Sequence, residues 1–344
     1  MKTVLVTGAG GYIGSVLVGK LIESGHKVIA VDRYFFGRDK LSDNTNLEVV
    51  VDDSRKLTGD VFKGVDFVID LVAISNDPSA ELFSEQTWAI NHASRVNTAN
   101  LARAAGVKRY ILPSSASIYG CQDEPVDENS PTNPLTVYAK ANEKTETDVL
   151  ATASDDFVVT VIRQATVFGY SRRMRFDLAV NGMTYGCWKT GKLPLMRDGK
   201  QYRSMVHISD TTDVMMLLLT CDESKINGEI FNVGSQANNF QIEDLATRVA
   251  KTVNAKTGRD IDIEWYGDPD RRSYRLKFDK IENRLGWKAV HSVEEGVEKI
   301  IDALERGEID RTPPTITLEW YRNLTYWHKI IKEVEKYGGI LDIE

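Results

Sequence analysis

Three glycines and one carboxylate are the first residues of this chain whose spacing implies chemistry. The stretch "VTGAGGYIGS" sets Gly8, Gly11 and Gly14 directly after a short Val-rich run and at the mouth of a helix-length segment. Glycines there permit a tight turn and let the backbone approach a pyrophosphate, which the N-terminus of the following helix receives; Gly14 lets that helix pack against a sheet. Asp32 ends the next apolar run, "KVIAVD", at the distance of about 20 residues where a carboxylate accepts hydrogen bonds from an adenosine ribose and repels a 2′-phosphate. NAD is therefore expected rather than NADP, although Arg33 beside Asp32 is a group able to accommodate a 2′-phosphate. Asp53, after the third apolar run, either meets the adenine amine or caps the turn that follows it.

The order "TGAGGYIG", "SSASIYG" and "YAKAN", joined by "INHASRVNTANLARAAGVKRY", "RSMVHISD" and the late "RLGW", resembles the extended short-chain dehydrogenase/reductases. Within them it is similar to the nucleotide-sugar epimerase and dehydratase family, UDP-galactose 4-epimerase-like members above all, over nearly the whole length. The resemblance implies a Rossmann fold holding NAD, a nucleotide-diphosphate sugar as substrate, and Ser115, Tyr138 and Asn142 as catalytic residues. It adds Tyr12, Ile13, Ser54, Leu71, Ala73, Tyr138 and Asn142 to the cofactor site formed by the glycines, Asp32, Arg33 and Asp53. It assigns Ser75, Asn76, Ser115, Thr166, Asn181, Arg203 and Arg272 to the substrate, with Thr166 standing where such proteins commonly carry asparagine. The two arginines are favoured over nearby lysines for the diphosphate because a guanidinium engages phosphate bidentately.

Members of the family that dehydrate the hexose share an acidic pair after the serine, which supplies acid and base for eliminating water. Here those positions are Ala116 and Ser117, so the implied reaction is oxidation and reduction at C4: epimerisation through a 4-keto intermediate. A nucleotide-sugar 4-dehydrogenase or 4-ketoreductase is the alternative, which the resemblance of "TVFGYSRRMRFDLAVN" to sugar 4-dehydrogenases keeps open. A catalytically impaired protein that binds NAD and nucleotide sugar is the other. The resemblance also implies a homodimer, in which the helix bearing Tyr138 and the one near 91–105 pair with their symmetry mates.

In the family the tyrosine has a lysine one helical turn later, which bonds the nicotinamide ribose and lowers the tyrosine pKa. That position is Asn142. At about 100° per residue, i+4 returns to within about 40° of Tyr138, whereas Lys140 at i+2 lies on the far side and Lys144 at i+6 is badly placed. Asn142 can serve as ribose donor and acceptor but brings no charge. With a free phenol titrating near 10, Tyr138 is expected to work in a strongly pH-dependent way.

These residues need a scaffold. The runs "TVLVTG", "KVIAVD", "LEVVVD", "FVIDLVA", "RYILPSS" and "VVTVIRQATVFG" alternate with helix-length segments, the pattern of a doubly wound parallel sheet covered on both faces. "MVHISD" reads as a return to that sheet. The expected division is an NAD-binding Rossmann domain of residues 1–170 plus 205–235 and a smaller α/β C-terminal substrate domain of 171–204 plus 236–344. A capping signal at Ser292 and Glu295 opens a late helix. A helical row of Trp320, Tyr321, Leu324, Trp327, Ile331 and Val334 is expected to serve core or subunit packing. The 344 residues are 42% hydrophobic and 27% charged, with a net charge of −7. That charge disfavours nucleic-acid and anionic-membrane partners. No run of about 18 apolar residues suggests a membrane span. Cys121, Cys187 and Cys221 are too far apart for a redox or metal pair and odd in number, so a cytoplasmic protein without a metal site is expected.

Overall fold

A computed structural model of the chain describes residues 1–268 and 272–336; residues 269–271 and 337–344 of the expected C-terminal domain lie outside the described residues. The six apolar runs form β1 (Thr3–Thr7), β2 (Lys27–Asp32), β3 (Leu47–Val51), β4 (Phe67–Asp70), β5 (Arg109–Ser115) and β6 (Val158–Gln164). They are followed by β7 (Thr166–Phe168), β8 (Lys192–Met196), β9 (Tyr202–His207), β10 (Glu229–Val233), β11 (Asn239–Gln241) and β12 (Asp262–Tyr266). Seven strands form one parallel sheet in the order β10-β6-β5-β4-β1-β2-β3. Val4, Leu5 and Val6 are all at 0% exposure. This is the signature of a strand buried on both faces, and it explains why the run is continuous rather than alternating.

The strand order reverses at β1, which has β2 on one side and β4 on the other. Ligands of such sheets bind at this switch point, outside the carboxyl ends of the strands. Register carries the expected residues there: Thr7 pairs with Val31 on one side and with Asp70 on the other, so Gly8, Asp32 and Leu71 emerge side by side.

Around the sheet lie α1 (Tyr12–Glu23), α2 (Asp77–Leu82), α3 (Ser84–Thr87), α4 (Arg95–Ala104) and α5 (Val137–Leu150), with a π-helical stretch, Trp88–Ser94, leading into α4. Then follow α6 (Ala179–Thr190), α7 (Ile208–Leu218), α8 (Ile242–Thr257), α9 (Asp279–Leu285), α10 (Val293–Glu305) and α11 (Thr317–Glu335). α5 starts where Thr136 Oγ1 accepts the Ala139 amide at 3.1 Å. It buries Ala139, Ala141, Asn142, Thr145, Glu146 and Val149, which sets Tyr138 at the helix entry. α10 opens on a full capping box, with Ser292 Oγ accepting from the Glu295 amide and Glu295 accepting from the Ser292 amide.

Two expectations are corrected. The segment "MVHISD" does not rejoin the main sheet: β9 lies between β7 and β11 in a three-stranded sheet. The free edge of β6 is taken by β10, from "GEIFNVG", and one residue, Ala165, separates β6 from β7, so the chain turns out of the sheet there and β9 follows β7. Of the two uses read for the aromatic row of α11, core or subunit packing, core packing is the one set aside. Thr317 is its one buried residue among those described, Trp327 is 58% exposed, and Trp320 Nε1 donates to the Phe35 carbonyl beside the switch point. A separate apolar cluster, including Val180, Met183, Leu195, Leu245, Val249, Val297 and Ile301, joins α6, α8 and α10 to β8. No helix among the described residues is long and apolar enough to cross a membrane.

Candidate active site

A cleft of about 1140 Å³ runs along the carboxyl ends of the strands, from the glycine turn to Arg203 and Arg272. At its floor Gly8 has φ +66°, and a Cβ there would sit 2.7 Å from the Leu71 carbonyl carbon; a Cβ at Gly14 would sit 2.3 Å from Gly8 O. No larger residue fits either place. Gly11 caps α1 without a side chain, leaving the first-turn amides open to a phosphate. Asp32 accepts the Gly10 amide at 3.0 Å and the Tyr34 amide at 2.7 Å. Burial pushes its pKa up against the pull of these backbone donors. The glycine cradle, the open helix terminus and the carboxylate at the end of β2 fit NAD.

The neighbouring groups are more committed than the sequence implies. Arg33 turns to Asp53, Nη1 to Oδ2 at 2.8 Å, and Asp53 also holds Arg55 and accepts the Arg55 amide at 3.0 Å. Asp53 is thus the cap of its turn, as one of the two readings has it. The Arg55 hydrogen bond, helped by the Arg33 charge and opposed by partial burial, holds its carboxyl well below the usual carboxylate range. Ser54 Oγ lies 3.0 Å from Ser94 Oγ. Tyr12, Ile13, Leu71 and Ala73 line the cleft beside them.

Ser115 ends β5, with its Oγ accepting the Ser117 amide at 3.2 Å and hydrogen-bonded to the Tyr138 phenol. Burial raises the pKa of Tyr138 above its ordinary 10.0 and the Asp77 carboxylate adds to this, while the Ser115 hydrogen bond and the charges of Arg95 and Arg175 pull it back. Asn142 behaves differently from expectation. It is 2% exposed; its Nδ2 donates to the Tyr138 carbonyl at 2.9 Å and its Oδ1 accepts from Arg95 Nη1 at 3.3 Å. Bonding to the i−4 carbonyl and to Arg95 engages both polar atoms of the amide within the protein. Asn181 is likewise held inside, accepting the Gly169 amide and donating to Tyr12 and to the Arg175 carbonyl.

On the substrate side Thr166, Ser75, Asn76, Arg203 and Arg272 border the cleft. Arg203 donates to the carbonyls of Tyr202 and Arg272 and lies 5.2 Å from the Tyr274 ring, and Arg272 pairs with Asp77. Asn76 caps α2 and donates to Asp177 at 2.9 Å. Ser75 Oγ accepts from Arg175 at 3.1 Å.

Sequence reasoning missed Asp77, Arg173, Arg175 and Asp177, all of which line this cleft. "SRRMRFD" reads as basic, but nothing in its spacing tells which arginines turn inward. Burial would raise the Asp177 carboxyl, yet the Arg175 guanidinium beside it, at 2.9 Å, wins and holds it at about 2. Arg173 is 4% exposed, its Nε and Nη1 have no hydrogen-bond partner among the described residues, and it lies 3.6 Å over the Phe36 ring. Burial, with Arg175 nearby, lowers its pKa to about 9. Tyr321, Leu324, Thr325 and His328 of α11 border the same cleft.

The family model described as the NAD dependent epimerase/dehydratase family matches residues 4–234. Among curated proteins, a putative UDP-glucose 4-epimerase of Methanocaldococcus jannaschii is 26% identical over 307 residues, covering 87% of this chain and 97% of that protein. UDP-glucuronic acid decarboxylase 1 of Danio rerio is 26% identical over 316 residues, covering 89% of this chain and 73% of that protein. Among solved structures, MoeE5 in complex with UDP-glucuronic acid and NAD aligns at a TM-score of 0.78 with 27% identity, over 89% of this chain and 99% of that one.

Proposed function

Because the chain belongs to the NAD dependent epimerase/dehydratase family, and so takes NAD, we propose that it epimerises C4 of a nucleotide-diphosphate hexose through a 4-keto sugar. One observation carries the reading. The Ser115–Tyr138 pair opens on a cleft with the glycine turn at one end and Arg203 and Arg272 at the other, while Ala116 and Ser117 offer no carboxylate to eliminate water.

NAD supplies the acceptor, and then the donor, of the C4 hydrogen with its electron pair. Tyr138 Oη removes the proton of the C4 hydroxyl and later returns it to the keto oxygen. Ser115 Oγ, bonded to the phenol, keeps the sugar oxygen and the tyrosine in line. Arg203 and Arg272 hold the diphosphate, leaving the sugar ring free to turn about its anchored end. Asp77, the carboxylate that faces Tyr138, is occupied by Arg272 and Thr136 and is not free to act as a competing base. In this reading residues 1–170 with 205–235 hold NAD, and 171–204 with 236–344 hold the nucleotide sugar.

Incubation with UDP-, GDP-, dTDP- and CDP-hexoses, without added NAD, tests the reading. Inversion at C4 is expected with at least one of them, and no inversion with any would sink it. Net formation of NADH would assign a 4-dehydrogenase instead. The protein is further proposed to be a homodimer through α4 and α5, with Lys140 and Lys144 of α5 exposed and Trp88 of the π-helical stretch before α4 half-exposed; sedimentation as a monomer at micromolar concentration would reject this.

A further inference from the structure

The residue one turn after Tyr138 carries no charge, and the buried cation that reaches it comes from a different helix. Arg95, in the first turn of α4, is 1% exposed. Its Nη2 donates to the Asp70 carbonyl at 2.7 Å and the Pro113 carbonyl at 2.6 Å, and its Nη1 to Asn142 Oδ1 at 3.3 Å. These acceptors lie at the ends of β4 and β5 and on α5, the three elements that carry the loop from Leu71 to Asn76, Ser115 and Tyr138. Asn142 passes the connection on, since its Nδ2 holds the Tyr138 carbonyl at 2.9 Å.

A guanidinium is costly to bury, and persists where its donors are met and its charge is matched. The nearest carboxylate is Asp70, wholly buried, with Oδ2 3.5 Å from Nε. That carboxylate already accepts from Thr7 Oγ1 and the Tyr110 phenol, and Arg95 Nε has no hydrogen-bond partner among the described residues. Arg95 therefore does more than neutralise Asp70: most of its donors are directed at the frame of the site.

Resting on the assignment of Tyr138 as the proton-transfer group, we propose that Arg95 is the positioning residue of this site. It locks Asn142, and with it the turn bearing Tyr138, against the ends of β4 and β5, and its buried charge is the cation that favours the phenolate. The other groups around Tyr138 do not supply that charge on their own. Asp77 of α2 opposes it, and Glu81 of α2 caps the Val137 amide. Arg163 is taken up by Glu146 and the Tyr119 phenol, and His92 pairs with Asp148, which Lys144 also holds. Arg175 favours the phenolate less than Arg95 does, and Asp177 matches it at 2.9 Å, a closer pair than the 3.5 Å between Arg95 and Asp70.

The test follows the phenol directly, in the NAD-bound protein labelled at the tyrosine ζ carbon, with the Tyr138→Phe spectrum assigning the resonance. In Arg95→Gln the Tyr138 titration is expected to move up by about one unit or more, which is tenfold less phenolate at a given pH. Arg95→Lys should fall between the two, and Arg95→Gln/Asn142→Lys, which returns a charge from α5, should titrate close to the native protein. A folded Arg95→Gln with Tyr138 unmoved overturns the proposal. If Arg95→Gln does not fold, the double variant decides: native-like titration supports the proposal, and a double variant that is unfolded, or whose phenol titrates a unit or more too high, overturns it. Failure of turnover with every nucleotide sugar would sink the proposed reaction without touching this titration, so the two can fail separately.

Discussion

Tyr138 is a phenol made a reluctant acid by burial, and the direction of its pKa sets the first prediction. The acid is raised above 10.0, and in the proposed reaction the phenolate is the base, so below that pKa the rate of single-turnover NADH formation should climb up to tenfold per pH unit. A flat profile would show that another group takes the proton. Tyr138→Phe should abolish that step while NAD stays bound, because it removes only the hydroxyl. At Asp32, replacement by Ala should weaken NAD by about 1.5 to 3 kcal/mol, the range for hydrogen bonds to a charged group, and also leaves the Gly10 and Tyr34 amides without their acceptor. A calorimetric titration showing unchanged affinity would mean the carboxylate does not meet the ribose. The glycine turn was legible because the spacing of its residues is itself the constraint, whereas Ser115 and Tyr138 were singled out by the resemblance of "SSASIYG" and "YAKAN" to the family. The directions of Asn142 and Asn181 were not legible. The partner that turns Asn142 is Arg95, 47 residues away, and the one that holds Asn181 is Tyr12, 169 residues away.

At the scale of elements, the parallel strands were readable because burial on both faces leaves continuous Val and Ile runs. Their edges were not, since an apolar run does not say which neighbour it will pair with; β10, for which no pairing was read, takes the place beside β6 in the main sheet, which β9 does not rejoin. The junction of β9 with α7 carries a prediction. His207 ends β9, accepts the Ser209 amide at 3.2 Å as the cap of α7, and stacks on His291 at 4.6 Å. Burial first, then the charges of His291, Lys299 and Lys20, push its pKa down to about 3. The folded protein thus keeps His207 neutral, while the unfolded chain takes up a proton below about 6.5. Its contribution to stability is complete above that value and is lost as pH falls towards 3, at about 1.4 kcal/mol per pH unit. His207→Asn retains a capping acceptor and cannot titrate, so urea unfolding between pH 7 and 5 should show a shallower loss than in the native protein. An identical slope in the two proteins would place the acid sensitivity elsewhere.

For the whole molecule, the cleft is a product of topology: the sheet reverses at β1, and the segments after β6 close over the carboxyl ends with Arg173, Arg175 and Arg203 facing in. The sequence announced a dinucleotide fold and a basic stretch, but which basic groups converge depends on contacts such as Arg175 with Ser75, 100 residues apart. The same holds for α11. Its amphipathic spacing was plain, yet its partner was not, because Tyr321 meets Phe36 and Phe83, far away in the chain.

That last helix bears on how long a cofactor stays. Tyr321, Leu324, Thr325 and His328 line the same cleft as the glycine turn, and the prediction is that they slow the release of a bound dinucleotide. In the proposed epimerisation the oxidant is regenerated within each turnover, so the reaction has no use for exchange with the cellular pool, and a long residence time then carries no kinetic penalty. Tyr321→Ala/Leu324→Ala should shorten it by at least about tenfold, the factor that corresponds to about 1.4 kcal/mol of lost contact, while turnover of enzyme kept saturated with NAD stays near native. Chase of bound labelled NAD by excess unlabelled NAD measures it; equal release from native and variant protein would reduce α11 to a bystander.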